Sequence, residues 1–215
     1  SADNLEGKQI NKLSLQREKG LEENADIPLI GLISRLVDQK GLDLVDRMIS
    51  EVLNMNLQLI VLGTGDKKYE DLFRWAQGAF PGKMSANICY DATLAQRIYA
   101  ACDMFLMPSL FEPCGLSQIF SMRYGTVPIV RETGGLRDTV VPYNLYSETG
   151  TGFSFANYNA HEMKDAIGRA ITVFQDREKW NRLVKQCMQQ DFSWDHSAME
   201  YLVLYGQICG ITVTK

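Results

Sequence analysis

Histidine is nearly missing from this 215-residue chain: His161 and His196 are its two copies, too few for a His-rich metal site. No Asp-x-Asp occurs anywhere in it. Cysteine is sparse and unpatterned. Cys89, Cys102, Cys114, Cys187 and Cys209 form an odd set with no Cys-x-x-Cys, which suits a reducing compartment better than a disulfide scaffold. No apolar run approaches the ~18 residues of a membrane span, and no signal peptide is visible. A basic excess is also lacking. The net charge of −4 argues against nucleic acid or an anionic membrane as the main partner, because both need a basic face; a local basic pocket for a small anion stays open. There is no Gly-x-x-x-x-Gly-Lys-[Ser/Thr], so a P-loop phosphotransferase is out. Gly63-Thr64-Gly65 lacks the third glycine of a dinucleotide fingerprint, with Lys68 in its place and no acidic residue at the expected distance on a second strand.

What is present is enough to bury a full core, at 46% hydrophobic and 22% charged residues. The length suits one large domain or two small ones, at ~150 residues per domain. The chain opens on Ser1 rather than Met and reads as a piece of a longer one. Residues 1–26 are polar, with Leu5, Ile10, Leu13 and Leu15 on a helix that Gly20 closes, a connector entering the domain. Short apolar runs predict strands at Pro28–Ile33, Leu57–Leu62, Asn87–Tyr90, Met104–Met107 and Thr126–Val130. Between them, helical spacing appears from Leu42 to Val52, Lys67 to Ala79, Leu94 to Ala101 and Leu116 to Arg123, where Gly125 ends the last. Arg131–Leu136 is a glycine turn and 141–159 is irregular. Asn159, with Glu162 three residues on, predicts the cap of a helix whose face is Met163, Ile167, Ala170, Ile171 and Phe174. Further helices cover about Asp176–Gln190 and start near Asp195. Strand and helix alternate five times without an internal repeat, which argues for an α/β, doubly wound parallel sheet of Rossmann-like type.

In such a sheet ligands bind beyond the carboxyl ends of the strands. The stretch Pro108–Gly125 places Glu112 and a Pro-Cys-Gly turn there, and the free N–H groups of Gly115, Leu116 and Ser117 before a helix make an anion site. Arg35 and Lys40 follow the first strand and flank a helix start, a good place to hold a diphosphate without metal. Tyr90 ends a strand on the same edge and can stack on a base. Bland alternatives stand beside each: an ordinary loop for Glu112, solvated surface for the two cations, core for Tyr90. For Cys114, a buried thiol in a tight turn is favoured over a nucleophile, because neither histidine has a reason to be near it.

Three blocks carry a resemblance. Ser34-Arg35-Leu36 with Gln39-Lys40-Gly41-Leu42-Asp43-Leu44, then Phe111-Glu112-Pro113-Cys114-Gly115-Leu116-Ser117-Gln118, then Arg131-Glu132-Thr133-Gly134-Gly135-Leu136-Arg137-Asp138-Thr139-Val140 resemble the bacterial glycogen synthase and plant starch synthase family, collinearly from about Leu5 to Ile208. The resemblance implies the C-terminal domain of a GT-B glycosyltransferase: a connector over 1–26, a nucleotide-sugar-binding domain over 27–190, and a C-terminal helix and tail over 191–215. It implies glucose transfer with retention from ADP-glucose to the non-reducing end of an α-1,4-glucan, with no metal or other cofactor. By it, Arg35 and Lys40 hold the donor diphosphate, Glu112 takes the glucose hydroxyls, the amides from Cys114 to Ser117 contact sugar and distal phosphate, and Tyr90 stacks on adenine. The family's N-terminal Lys-x-Gly-Gly-Leu domain, which receives the glucan, is absent from this sequence. Ser117 replaces the usual threonine, keeping the hydroxyl; Phe120 stands where wider GT-B families carry a ribose-binding glutamate. The implied setting is the bacterial cytoplasm, or alternatively a plastid. Runner-up readings are a sucrose synthase-like transferase, a nucleotide-sugar epimerase, or a non-catalytic nucleotide- or glucan-binding module.

Overall fold

The structure of the chain, a computed structural model, describes residues 1–2 and 4–211. Six strands form one parallel sheet: β1 (Leu29–Ile33), β2 (Gln58–Leu62), β3 (Met84–Asn87), β4 (Met104–Met107), β5 (Val127–Arg131) and β6 (Phe153–Phe155), in the order β3-β2-β1-β4-β5-β6. Nine helices are described: α1 (Glu6–Glu18), α2 (Leu42–Asn54), α3 (Lys67–Ala79), α4 (Ala92–Ala101), α5 (Ser117–Arg123), α6 (Gly135–Thr139), α7 (Ala160–Gln175), α8 (Arg177–Met188) and α9 (Trp194–Cys209). The expected doubly wound parallel sheet is what these residues build. None of the described helices is long and apolar enough to cross a membrane.

Alternation along the strands sorts the core into two faces. Ile30, Leu32, Leu59, Val61, Met104 and Leu106 point to the face covered by α2, α3, α7 and α8. Leu29, Ile60, Leu62 and Phe105 point to the other, under α1, α4 and α6. Gly31 lets α4 come close, because a Cβ there would sit 2.8 Å from Ile98 Cγ2 and 3.0 Å from Cys102 Sγ. The expected faces of α2 and α7 are buried. Asn159 caps α7 as its spacing predicts, its side chain accepting from the N–H groups of His161 at 2.8 Å and Glu162 at 3.3 Å. Asn159→Ala should therefore cost about 1 kcal/mol, read as a lower urea midpoint at constant slope; an unchanged midpoint would remove the cap from the account.

Three local expectations are corrected. The third strand lies at Met84–Asn87, not Asn87–Tyr90, because its register is set by β2: Leu59 pairs with Met84 and Leu62 with Asn87, and the ladder stops where β2 meets Gly63. A short strand, Phe153–Phe155, rises from the stretch read as irregular. Its three residues are too few to show alternation, and its pairing with β5 is what defines it. On α1, Ile10 is exposed, and the inward face carries Lys12 and Gln16 beside Leu15. Lys12 reaches Asp103 at 2.7 Å, while Asp103 also accepts from the Leu29 N–H at 2.8 Å, so α1 is pinned to the start of the sheet. Half-buried Lys8 donates to the Ala100 and Tyr124 carbonyls and to Thr126 Oγ1, and burial pushes its ammonium down to about 8. The helix α1 thus packs into the fold, against α4 above all. Of the C-terminal tail, residues 212–215 lie outside the described residues.

Candidate functional site

The strand order reverses between β1 and β4, whose pairing covers only Ile30–Met104 and Gly31–Phe105 before the chains diverge. A crevice opens beyond their carboxyl ends, the usual ligand position in a doubly wound sheet. The chain leaving β1 makes a single 3-10 turn at Asp38–Lys40 and enters α2 through Gly41 at φ +71°. A side chain at Gly41 would overlap the Pro108 carbonyl oxygen, so glycine lets the two loops touch. They are tied further by the Leu110 N–H to the Gln39 carbonyl at 3.0 Å and by Gln39 Nε2 to the Phe111 carbonyl at 3.3 Å. Lys68, which spoils the dinucleotide fingerprint, pairs with Asp38 at 2.6 Å, and the Tyr69 hydroxyl donates to the same carboxylate. Those two bonds, Lys68 first, hold the Asp38 carboxyl below its usual range and anchor the turn that carries Lys40.

Lys40 Nζ lies 2.6 Å from Glu112 Oε2, and Ser109 Oγ stands 3.4 Å from the same oxygen. Glu112 is only 9% exposed. Its loop is held from behind by Arg131, which donates to the Ser109 carbonyl at 2.9 Å and the Leu110 carbonyl at 2.6 Å. The Gly135 N–H adds bonds to the carbonyls of Glu112 at 3.2 Å and Pro113 at 3.1 Å. Gln118 Nε2 ties down the Cys114 and Gly115 carbonyls at 3.1 and 3.0 Å. Among the described residues, the amides of Gly115, Leu116 and Ser117 donate to no group of the fold. They border a cavity of about 210 Å³ together with Ser34, Arg35, Lys40, Ser109 and Glu112. Arg35 is exposed and, among the described residues, makes no ion pair. Cys114 is exposed rather than the buried thiol expected, because its turn bulges outward between Pro113 and Gly115.

A second cavity of about 330 Å³ adjoins the first and shares Ile33, Ser34 and Arg35 with it. Tyr90 stands at its rim, 91% exposed, three residues beyond the end of β3 instead of at a strand terminus. Tyr99 and Phe120 supply its aromatic lining, their ring centroids 6.1 Å apart. The apolar positions Leu116 and Phe120 of the predicted helix therefore face outward, while Gln118, Ser121 and Met122 are buried. A cavity of similar size, about 340 Å³, lies at the opposite end of the sheet between α1 and α8. There Lys12 is taken by Asp103, Arg177 by Asp26, and Lys8 by the Ala100 and Tyr124 carbonyls and Thr126 Oγ1, so its cations already have partners.

The expected site residues thus divide between two adjoining cavities: Arg35, Lys40, Glu112 and the Cys114–Ser117 turn around one, Tyr90 at the rim of the other. Two cations facing free amides favour a compact polyanion, and the aromatic slot beside it favours a flat ring. Among the described residues, no three His, Cys, Asp or Glu side chains gather as metal ligands. The sequence did not single out Ser109, Arg131 or Tyr99 as parts of this site, and it marked Phe120 only as standing where wider GT-B families carry a ribose-binding glutamate, not as an aromatic wall. Arg131 and Phe120 lie inside or beside the quoted motifs, but nothing in their spacing tells which carbonyl or ring they meet.

Residues 15–186 match the family model described as glycosyl transferases group 1. The chain belongs to this family. Among curated relatives of this group 1 glycosyl transferase, the glycogen synthase of Clostridioides difficile (strain 630) is 55% identical over 207 residues, spanning 96% of this chain and 43% of the relative. That of Exiguobacterium sibiricum is 54% identical over 200 residues, 93% of this chain and 41% of the relative. The catalytic domain of starch synthase IV from Arabidopsis thaliana, solved bound to ADP and acarbose, superposes with a TM-score of 0.87 at 38% identity, covering 96% of this chain and 44% of that one. The resemblance read from the three blocks is borne out, and the chain spans less than half the length of these relatives.

Proposed function

We propose that this glycosyl transferase domain binds the ADP-glucose donor of a retaining α-1,4-glucan glucosyltransferase of the glycogen and starch synthase type, without metal. The observation that carries this reading is the pair of adjoining cavities at the strand-order reversal, one cationic and amide-lined, the other aromatic, joined at Ser34–Arg35. The adenine stacks on Tyr90. The diphosphate lies between Arg35, Lys40 and the free amides of Gly115–Ser117, and the glucose lies against Glu112. As the bond from glucose C1 to the phosphate oxygen breaks, negative charge grows on the departing diphosphate, where Arg35 and Lys40 meet it. Lys40 and Glu112 neutralise one another across 2.6 Å; the donor would place a phosphate at the first and hydroxyl groups at the second, giving each a new partner. The glucan acceptor is held by the portion of the protein outside this chain, so glucan synthesis needs both parts.

Calorimetric titration in EDTA tests this. ADP and ADP-glucose should bind more tightly than UDP, with affinities indifferent to chelator and lost in Arg35→Ala. Equal affinity for UDP, or binding abolished by EDTA, would overturn the donor assignment. Elongation of a glucan by this chain alone would overturn the division of labour.

A further inference from the structure

The aromatic slot has a polar end that the assignment above does not use. Along α4, Ala92, Ala95, Gln96 and Tyr99 face the slot, and Gln96 is the one side-chain amide among the residues lining it. Asp91, the carboxylate among the lining residues, caps α4 through Oδ1, which accepts from the Leu94 N–H at 2.9 Å. Gln96 Oε1 accepts from the Tyr124 hydroxyl at 2.9 Å, and the Tyr124 ring lies nearly parallel to Tyr99, 13° and 6.4 Å apart. The hydroxyl that anchors the amide is therefore itself held by packing on the slot's aromatic lining. Among the described residues, nothing accepts from Gln96 Nε2. An amide with its oxygen anchored turns both N–H donors away from the anchor.

We infer that Gln96 reads the base: its Nε2 donates to N1 of an adenine seated in the slot beside Tyr90, and Tyr124 is the positioning residue that keeps the donor face of the amide toward the ring. This rests on the nucleotide-site reading above. The chemistry selects one purine over another. Adenine N1 is a bare acceptor, whereas hypoxanthine N1 carries a hydrogen, so a fixed N–H donor would meet another donor and both would go unpaired. The alanines at 92 and 95 leave the width for a purine, and the amide supplies the discrimination.

Titration of the chain with ADP and IDP, which differ at the six position and N1, tests the assignment. ADP should bind about tenfold more tightly than IDP, the scale of one satisfied against one unpaired hydrogen bond. Gln96→Leu should bring the two affinities within about twofold, and Gln96→Glu, which presents an acceptor, should favour IDP. Tyr124→Phe keeps Gln96 but frees the amide to turn, so the ADP-to-IDP ratio should fall; a purely structural role would weaken both nucleotides equally and leave the ratio alone. An unchanged ratio in Gln96→Leu, with ADP still bound, would overturn this assignment and spare the nucleotide site. Failure of the unsubstituted chain to bind either nucleotide would overturn both.

Discussion

On the proposed donor assignment, Lys40→Ala should remove measurable ADP binding from this domain and lower the proposed glucose transfer by about 10²–10³, the loss typical of one preorganised charge-stabilising donor. The size follows from where Lys40 sits. Its ammonium lies at the junction of the free amides and Glu112, partly buried and 2.6 Å from that carboxylate. The turn that carries it is fixed by Lys68 and Tyr69 on Asp38 and by the contact of Gly41 with Pro108. A charge held this way would need no reorganisation as a leaving diphosphate gathers negative charge in the proposed reaction. Removing it has a second effect, since Glu112 is left shielded from water without its cation. The two effects separate in a cycle. Glu112→Gln on the Lys40→Ala background should restore thermal stability, because the stranded charge is gone, yet leave ADP unbound. Binding by Lys40→Ala within threefold of the parent would show that Lys40 only neutralises Glu112.

Much of this arrangement is legible in the sequence because it depends on patterns local in the chain. Met104–Met107 and Lys67–Ala79 match to the residue, since a short apolar run and an amphipathic period each specify their own element. The crevice was legible too, because alternating strands and helices imply a doubly wound sheet and its ligand edge. What escaped is decided between elements. The position of β3 is fixed by β2, not by the apolar residues Ile88 and Cys89 that attracted the strand assignment. The inward lysines of α1 look like surface until Asp103 and the helix-end carbonyls are seen to receive them. In the site, Arg35 and Lys40 could be named from their distance after a strand, but the Lys40–Glu112 pair joins residues 72 positions apart. Gln96 lies on α4 and Tyr124 just past the end of α5, and only the packing of α4 beside α5 makes them one unit.

Gly134→Ala should be nearly as damaging, although residue 134 carries no side chain and contacts donor in no reading of the site. Its backbone sits at φ +46° and ψ −137°, a region essentially reserved to glycine, which costs other residues roughly 1–3 kcal/mol. A Cβ there would also overlap the Glu112 carbonyl oxygen and come within 3.3 Å of the Pro113 carbonyl oxygen. Backbone on both sides cannot yield cheaply, since Gly135 N–H is bonded to those same two carbonyls. The strain is relieved by pushing the Glu112 loop into the crevice, and a displacement of ~1 Å in a positioned site costs about 10² in rate. We therefore expect Gly134→Ala to lose about 2–3 kcal/mol of stability and about a hundredfold in donor turnover. Gly78→Ala provides the contrast: this glycine lies in α3 with open space around its would-be Cβ, so alanine should stabilise by up to about 1 kcal/mol and leave donor binding as it was. Comparable donor turnover in Gly134→Ala and Gly78→Ala would mean that the Glu112 loop tolerates displacement, and that the close backing of the Glu-Pro-Cys-Gly turn by the glycine pair is not what holds the donor site in shape.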